Sequence, residues 1–449
     1  MLSNRTPGWI RPFCRLAIAN TTSSLMVPLA GLIDTAFLGH LSDVRYLNGV
    51  ALASVIFNVI YWGCSFFRMG TTGLVAQAVG RLDETDVWLI LCRNALLALG
   101  AGSALLALQR PIAAVGFYFL QMGPSVREAA IAFYDGRIVG APAVLLNFVL
   151  LGWLLGRSQG RQVVWLAAVG NGSNILLDYW FIVRFGWGSY GAGLATALSQ
   201  YVMLAVGIGI VVSSTIPWSL WPWIKEKLWQ PAALKALFGL NSDILIRTLM
   251  LVLAMSSFTN FSSSLGETVL GVNALLMQIV LMSAHFMDGV ALAVESYAGK
   301  FYGQRSVGDL MWLLLLGAGG SVFLGIAIAL TLAIWPVPFF GLLTGHTQLL
   351  TQIPTYVLWL FPVLGFGGVA FALDGYFLGL TAGCVLRNSV LIAVLLGFFP
   401  LALVAVRLES PQLLWLSLAV LMALRTVTLL RQVPIMNQQL LVRSPEATS

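Results

Sequence analysis

Long stretches without charge recur along this chain and constrain its fold more than any other feature. The run from Leu313 to Ile334, for example, contains no Asp, Glu, Lys or Arg, and its apolar residues do not alternate with polar ones. An α-helix of roughly 20 apolar residues crosses a bilayer core about 30 Å thick. Because a membrane β-barrel would show short alternating segments instead, the pattern predicts an all-α integral membrane protein.

Composition agrees with a bilayer environment. Only 9% of the 449 residues are Asp, Glu, Lys or Arg, against about 25% in a typical soluble protein, and 59% are apolar. So few charges cannot cover the surface of a water-soluble body of this size. The apolar stretches predict about twelve transmembrane helices. These predicted spans are 16–38, 46–68, 87–109, 130–156, 162–183, 190–212, 238–262, 270–298, 310–334, 353–380, 388–406 and 412–431.

Lys and Arg residues near the ends of the spans predict the orientation in the membrane. With the N-terminus in the cytoplasm, 14 of them lie on the inner side, 5 on the outer side and 5 within spans. We therefore expect both termini to be cytoplasmic. The first apolar stretch is too long for a signal peptide and lacks a cleavage site, so it is expected to be a retained helix. With no Arg- and Ser-rich transit segment before it, we expect the plasma (inner) membrane of a prokaryote.

A polar stretch rich in Trp, Pro and Lys divides the spans into two sets of six. Its composition is typical of an amphipathic linker at the inner membrane interface. We therefore expect an N-terminal lobe over residues 1–212, the linker over 213–236, a C-terminal lobe over 237–434 and a cytoplasmic tail over 435–449.

The two lobes carry similar glycine patterns, which suggests an internal repeat. Gly80-Arg81 and Gly299-Lys300 follow the second span of each lobe, and the pair Gly152 and Gly156 corresponds to Gly375 and Gly379. Because each lobe has an even number of spans, both begin on the same side of the membrane and the repeats are parallel. Parallel repeats predict a central cavity between the lobes and transport by alternating access.

Acidic residues inside the spans are the first functional candidates, because a charge at the bilayer centre costs roughly 2.5–3.5 kcal/mol on insertion scales. Asp34 lies in the first span and Asp178 in the fifth, where Asn174 precedes it by one turn on the same helix face. Two acids that share a polar pocket can bind and release a proton. These residues form a predicted coupling-ion site, although they can also simply satisfy neighbouring polar groups.

The second lobe has acids of its own, which are candidates for an ion site that serves H⁺ or Na⁺. They can instead form buried structural ion pairs with an arginine inside a span, namely Arg68, Arg137 or Arg247. The four acids are Glu267, Asp288, Glu295 and Asp374.

Several other function classes lack their motifs in this chain. The 4 Cys residues form no CxxC pair and the 3 His residues are far apart, so we expect no metal site. No G-x-x-x-x-G-K-[ST] motif and no basic run with interleaved aromatic residues occur, so neither a nucleotide nor a nucleic acid is an expected partner. A receptor or scaffold role is disfavoured because no sizeable soluble segment exists. We expect a monomeric transporter without enzyme activity or cofactor, in contact with lipid and a small organic substrate.

With these residues identified, the chain resembles the multidrug and toxic compound extrusion (MATE) family, most closely its DinF-like branch. The resemblance covers essentially the whole chain, and the supporting segments are fairly specific when taken together. They are residues 31–40, 140–147, 151–156 and 174–178 in the first half, and residues 265–267, 288–291 and 374–375 in the second.

The resemblance implies an antiporter that exports amphipathic, often cationic compounds in exchange for H⁺ or Na⁺. Members of the DinF type use a first-helix aspartate, matched here by Asp34, and a fifth-helix Asn and Asp, matched by Asn174 and Asp178. A sixth-helix threonine of the same site matches Thr196, and a fourth-helix tyrosine is best matched by Tyr134.

Two alternatives remain open at this point. The NorM-like branch of the family instead uses a seventh-helix Glu and a tenth-helix Asp, for which Glu267 and Asp374 are positional candidates. A lipid-precursor flippase is the second alternative, because related two-lobed bundles handle lipid-linked sugars and the intramembrane arginines can supply a basic cavity.

Overall fold

The computed structural model describes residues 7–41, 43–120, 122–214 and 221–442. All regular elements in these ranges are helical, and no strand occurs among them. The predicted all-α fold is therefore confirmed. Residues 215–220 of the predicted linker and residues 443–449 of the predicted tail lie outside the described ranges.

The first half of the chain contributes ten α-helices and one π-helical segment. Helix α8 is followed without a break by the π-helical segment Tyr179–Arg184. The α-helices are α1 (Ile10–Gly39), α2 (Arg45–Gly63), α3 (Phe66–Gly80), α4 (Glu84–Ala107), α5 (Gln109–Tyr118), α6 (Pro124–Ile138), α7 (Ala141–Gly156), α8 (Gly160–Asp178), α9 (Gly188–Ser213) and α10 (Trp221–Lys227).

The second half begins with two long helices and ends with a third. The last helix extends through the first part of the predicted cytoplasmic tail, which was expected to start at residue 435. The elements are α11 (Pro231–Ser264), α12 (Glu267–Gly303), α13 (Val307–Ile334), α14 (Pro336–Gly341), α15 (Thr347–Tyr356), the 3₁₀ turn Val357–Trp359, α16 (Leu360–Gly379), α17 (Gly383–Ile392), the π-helical segment Ala393–Phe398, α18 (Phe399–Arg407) and α19 (Pro411–Val442).

Contacts between residues divide the chain into two compact units. One unit runs from Thr22 to Ala236, and the other combines the chain before Thr22 with the chain after Ala236. In the first unit α7 packs against α3 and α4, and α9 packs against α6 and α8. In the second unit α16 is the central helix and packs against α12, α13 and α19. Helix α1 is continuous across the boundary, so its two ends belong to different units.

About twelve spans were expected, and ten segments of the described chain are long and apolar enough to cross a membrane. The pair α6 and α7 adds an eleventh if the two helices, bent by 53°, are counted as one span. The remaining expected span, 162–183, corresponds to α8 and the π-helical segment after it. Helix α8 carries Asn171, Asn174 and Asp178, which reduce the apolar content of this expected span.

The bend between α6 and α7 interrupts the span that was expected to run straight from 130 to 156. A side chain at Gly140 would collide with Ala197, because its Cβ would lie 2.8 Å from the Cα of that residue on α9. Pro142 then occupies the first turn of α7 and has no N–H to donate to the preceding turn. The chain therefore ends one helix and starts the next within three residues.

Four helix-ending turns support the predicted internal repeat and correct its register. In each turn a helix ends at a glycine. The second residue after that glycine is not itself a glycine but has a left-handed backbone conformation. Gly80 corresponds to Gly303 in this pattern, not to Gly299 as the sequence comparison suggested, because α12 continues for one turn beyond Gly299. The four left-handed residues are Leu82 (φ 59°), Ser158 (φ 57°), Arg305 (φ 59°) and Thr381 (φ 56°).

Glycines bring equivalent helices of the two halves into close backbone contact. A Cβ on Gly152 of α7 would lie 2.5 Å from the carbonyl oxygen of Arg68 on α3. At the equivalent place, a Cβ on Gly375 of α16 would lie 2.2 Å from the carbonyl oxygen of Ala291 on α12. Since small residues allow membrane helices to approach closely, these glycines fix the framework of both repeats.

Candidate functional site

Asp34, Asn174 and Asp178 come together in the first unit, as the sequence predicted. Asp178 is the last residue of α8 and is 0% exposed. Its Oδ2 atom accepts a hydrogen bond of 2.9 Å from Nδ2 of Asn174, one turn earlier on the same helix. The carboxyl group of Asp34, on α1, forms a side-chain hydrogen bond with the carboxyl group of Asp178. A residue in the C-terminal part of α1 is thus joined to the end of α8.

The hydrogen bond between two carboxyl groups has a chemical requirement. An ionised carboxylate only accepts hydrogen bonds, so one of the two groups must carry a proton. Two adjacent negative charges would also repel each other strongly in a poorly hydrated site. No Lys, Arg or His nitrogen lies within 4.0 Å of either carboxyl group in the part of the chain that the structure describes. An acid pair of this kind requires a proton where no basic partner is close.

A π-helical segment begins immediately after Asp178. A π-helix contains an extra residue per turn relative to an α-helix, and such segments occur frequently at functional sites. Its first two residues, Tyr179 and Trp180, are exposed, whereas Asp178 directly before them is buried. The sequence offered no signal for this segment, because its residues Tyr179–Arg184 are equally compatible with a regular helix.

A cavity of about 580 Å³ lies in the first unit beside the acid pair. Asp34 and Asn174 line it, whereas Asp178 is not among its lining residues. Thr196 of α9 also lines the cavity, as predicted, and its hydroxyl donates to the Ala192 carbonyl at 2.9 Å. The cavity is large enough for a small organic molecule.

Tyr134 was expected to line this cavity, but it does not. Its side chain is 1% exposed, packs against Phe57 and Phe117, and donates its hydroxyl hydrogen to the carbonyl oxygen of Gln109 at 2.9 Å. Its neighbour Phe133, on another face of α6, lines the cavity instead, together with Tyr61 of α2. Adjacent helical residues point about 100° apart, so assignment to the correct helix does not identify the residue that faces the site.

Arg137 also lines the cavity, one turn after Phe133. Its guanidinium carbon lies 4.7 Å from the centre of the Phe57 ring, 5.5 Å from that of Phe133 and 5.8 Å from that of Tyr61. The sequence identified Arg137 as an intramembrane arginine that can either pair with an acid of the second lobe or contribute to a basic cavity. The structure places it in the first unit, where its charge interacts with that of Asp34.

Asp374, a candidate for an ion site in the second lobe, lies between two arginines. Its Oδ2 atom accepts hydrogen bonds from Nη2 of Arg247 and, at 2.5 Å, from Nη2 of Arg425. The side chains of all three are at most 8% exposed. Two positive charges against one negative charge do not favour a bound cation at Asp374. This arrangement is the structural ion pair that the sequence left open as the alternative.

Neither Glu267 nor Asp288 forms an ion pair with these arginines in the described part of the chain. Glu267 is exposed at the first position of α12, and Asp288 is partly buried on the same helix. Glu295, also on α12, is 1% exposed and interacts with neighbouring groups. No group of three or more His, Cys, Asp or Glu side chains within the described ranges has the geometry of a metal site.

The arrangement in the first unit, a hydrogen-bonded acid pair beside a cavity within membrane helices, is typical of ion-coupled transporters. The MatE family model matches residues 21–180 and 244–404. The chain therefore belongs to the MatE family, and its members are transporters, not enzymes.

Individual relatives agree with this assignment. The DNA damage-inducible protein F of Escherichia coli is 35% identical over 418 residues, which cover 92% of this chain and 90% of that protein. A probable multidrug resistance protein NorM of Thermotoga maritima is 22% identical over 356 residues, covering 77% of this chain and 75% of that protein.

Solved structures show the same fold. A crystal structure of a MATE protein in a bent conformation has a TM-score of 0.85 and 20% identity, with 97% of this chain and 96% of that chain covered. A MOP superfamily transporter from Pyrococcus furiosus has a TM-score of 0.83 and 19% identity, with 96% of each chain covered. The prediction of a multi-pass, two-lobed MATE transporter of the DinF type is thus confirmed.

Proposed function

We propose that this MATE transporter exports amphipathic organic compounds in exchange for H⁺ by alternating access. The observation that carries the proposal is the hydrogen bond between the carboxyl groups of Asp34 and Asp178, which requires a proton. The two groups turn oxygen atoms toward each other, which suits a proton between them better than a Na⁺ ion surrounded by several oxygen ligands.

Coupling follows from the position of Asp34 at the cavity wall. A compound that enters the cavity changes the hydration and the charge environment of this carboxyl group, and thereby its affinity for a proton. Protonation in turn changes the affinity for the compound by the same factor, because binding linkage is reciprocal. Each proton that moves inward across 100 mV supplies about 2.3 kcal/mol for export.

We also propose that the protein lies in the inner membrane of a prokaryote and works as a monomer. The Lys and Arg distribution supports the inner membrane of a prokaryote with both termini in the cytoplasm. The cavity and the acid pair belong to one chain, which supports a monomer as the working unit. The resemblance implied cationic substrates, but Arg137 places a positive charge in the cavity wall, which repels a cation.

Lipid flipping receives less support than export of free compounds. It depends on a basic cavity for phosphate groups, supplied by Arg68, Arg137 and Arg247. Arg247 binds Asp374, and Arg68 does not line the cavity. One arginine of the three remains at the cavity wall, and it lies among aromatic rings.

Dye efflux with the purified protein in liposomes tests the proposal. A panel of anionic, cationic and zwitterionic amphipathic dyes is assayed while internal pH is recorded. We expect dye movement to drive proton movement and to stop when the pH gradient alone is collapsed. Export that persists without a pH gradient but requires a sodium gradient would overturn proton coupling.

The variant Asp34→Asn tests the assignment of the proton site. We expect its dye-dependent proton movement to fall to the background of empty liposomes, with normal insertion and yield. Asp135→Asn is the matched control, because Asp135 lies in the same unit, 3.9 Å from the exposed Arg110, and not at the cavity. Full exchange by Asp34→Asn would show that this carboxyl group is not the coupling site.

A further inference from the structure

Arg137 is a positive charge in the cavity wall that the proposed proton site does not use. It lies on α6 between the rings of Phe57, Phe133 and Tyr61, which attract a cation through their faces. The rings stabilise the charge but accept none of its strong hydrogen bonds. A guanidinium group has five N–H donors, so several of these need an acceptor from elsewhere.

The described part of the chain provides few acceptors for these donors. Ser54 Oγ accepts a bond from Nη1 at 3.5 Å, the long limit of a hydrogen bond, and Nε is buried without a partner. No carboxylate oxygen within the described ranges lies within 4.0 Å of the guanidinium group.

The buried arginines of the described chain donate to closer acceptors. Arg93 donates to the carbonyl oxygens of Lys227 and Leu228, and Arg247 and Arg425 both bind Asp374. A buried charge without a polar partner is costly, and it is expected to persist where a ligand completes its bonds.

The charges around the cavity favour a particular class of ligand. With one shared proton the acid pair carries one negative charge, which balances the charge of Arg137 across the same cavity. A compound with a single positive charge gains at Asp34 but is repelled by Arg137. A compound with one charge of each sign has an opposite partner for both.

We propose that Arg137 binds an anionic group, such as a carboxylate, of the exported compound, and that the cavity selects zwitterionic amphiphiles over monocations of the same size. A guanidinium group binds a carboxylate through two parallel hydrogen bonds, which are stronger than those between neutral groups. This inference rests on the proposed proton antiport. The cationic end of the compound competes with the proton at Asp34, while the anionic end is held at Arg137.

Three dansyl probes that differ only in their charged groups test the proposal. Nε-dansyl-lysine is a zwitterion, dansylcadaverine is the same molecule without the carboxylate, and 6-(dansylamino)hexanoate is the same molecule without the amine. Their binding to the purified protein in nanodiscs is measured by equilibrium dialysis. We expect Nε-dansyl-lysine to bind about tenfold or more tightly than dansylcadaverine, as a charge-assisted pair predicts.

Variants locate the effect at one side chain. Arg137→Gln is expected to bind dansylcadaverine and Nε-dansyl-lysine with similar affinity, and Arg137→Lys to restore part of the difference. Arg68→Gln is the matched control, because Arg68 is a second intramembrane arginine of the same unit that does not line the cavity. It should keep the full preference. Thermal unfolding of each variant excludes misfolding as the cause.

Three outcomes would overturn the inference. They are equal or tighter binding of dansylcadaverine by the wild type, an unchanged preference in Arg137→Gln, and no binding of any of the probes. The assay needs no gradient, so its result is separate from proton coupling. If Asp34→Asn exchanges protons normally while the wild type prefers the zwitterion, the proton site is wrong and the anion site stands.

Discussion

The two repeats share a backbone framework but place buried acids in opposite electrostatic settings. Gly152 in the first repeat and Gly375 in the second make equivalent close contacts with a neighbouring helix. In the first repeat, the carboxyl groups of Asp34 and Asp178 are hydrogen-bonded to each other and have no basic partner within 4.0 Å in the described chain. In the second, Asp374 is held by two arginines.

This difference separates an exchangeable charge from a fixed one. Two guanidinium groups bind the carboxylate of Asp374 directly, so its charge has close partners within the protein. An acid opposite another acid changes its charge whenever a proton arrives or leaves. In a duplicated fold, one repeat can thus hold an acid pair without close basic partners while the other holds an acid bound by two arginines.

Among the substitutions considered for their effect on stability, Asp374→Asn is expected to have the largest effect. The substitution removes the carboxylate that binds both Arg247 and Arg425 in a buried site, and breaking a buried ion pair costs about 3–5 kcal/mol in comparable cases. We expect poor yield and a large drop in the midpoint of thermal unfolding, recorded by Trp fluorescence in detergent. Asp288→Asn on the neighbouring helix is the control, since Asp288 is only partly buried and forms no ion pair in the described chain. A stable Asp374→Asn protein would remove the contrast between the two repeats.

Gly375→Ala and Gly152→Ala test whether the shared framework matters equally in both repeats. Each new Cβ would lie within 2.5 Å of a backbone oxygen, so the helices must separate. We expect each substitution to destabilise the protein by about 1–3 kcal/mol. Gly172→Ala on α8 is the control, because nothing lies within 4 Å of its Cβ position. If either of the first two variants melts like that control, the helices of that repeat are not in close contact.

The smallest expected effect on stability comes from Asp178→Asn. The new amide can still accept the hydrogen bond from Asn174 and can donate to Asp34, so we expect a change of about 1 kcal/mol or less. The shared proton is nevertheless lost, and proton movement in liposomes should fall toward background. A stability loss as large as that of Asp374→Asn would mean that the acid pair is structural.

The sequence predicted the acid pair because its physical signals are local. A charge in an apolar span is conspicuous, and the four-residue spacing of Asn174 and Asp178 places both on one helix face. The helical membrane fold followed from apolar run length for a similar reason. These features depend on the composition of single segments and need no knowledge of which helices are neighbours.

The sequence did not show which side chains the intramembrane arginines contact. Arg137 and Arg247 look alike as intramembrane cations, yet one faces a cavity among aromatic rings and the other binds Asp374. Their contacts join residues far apart in the chain, and one sequence does not specify such pairs. The bend at Gly140 had a local signal in Pro142, but the absence of space beside the glycine depends on α9.

The π-helical segment after Asp178 has a consequence for comparing transporters. Because it contains one residue more per turn than an ordinary helix, removal of a single residue there would restore regular winding downstream of the aspartate. Residues 160–178 would keep their orientation. Alignments of relatives with shorter chains in this region should therefore place the gap after Asp178.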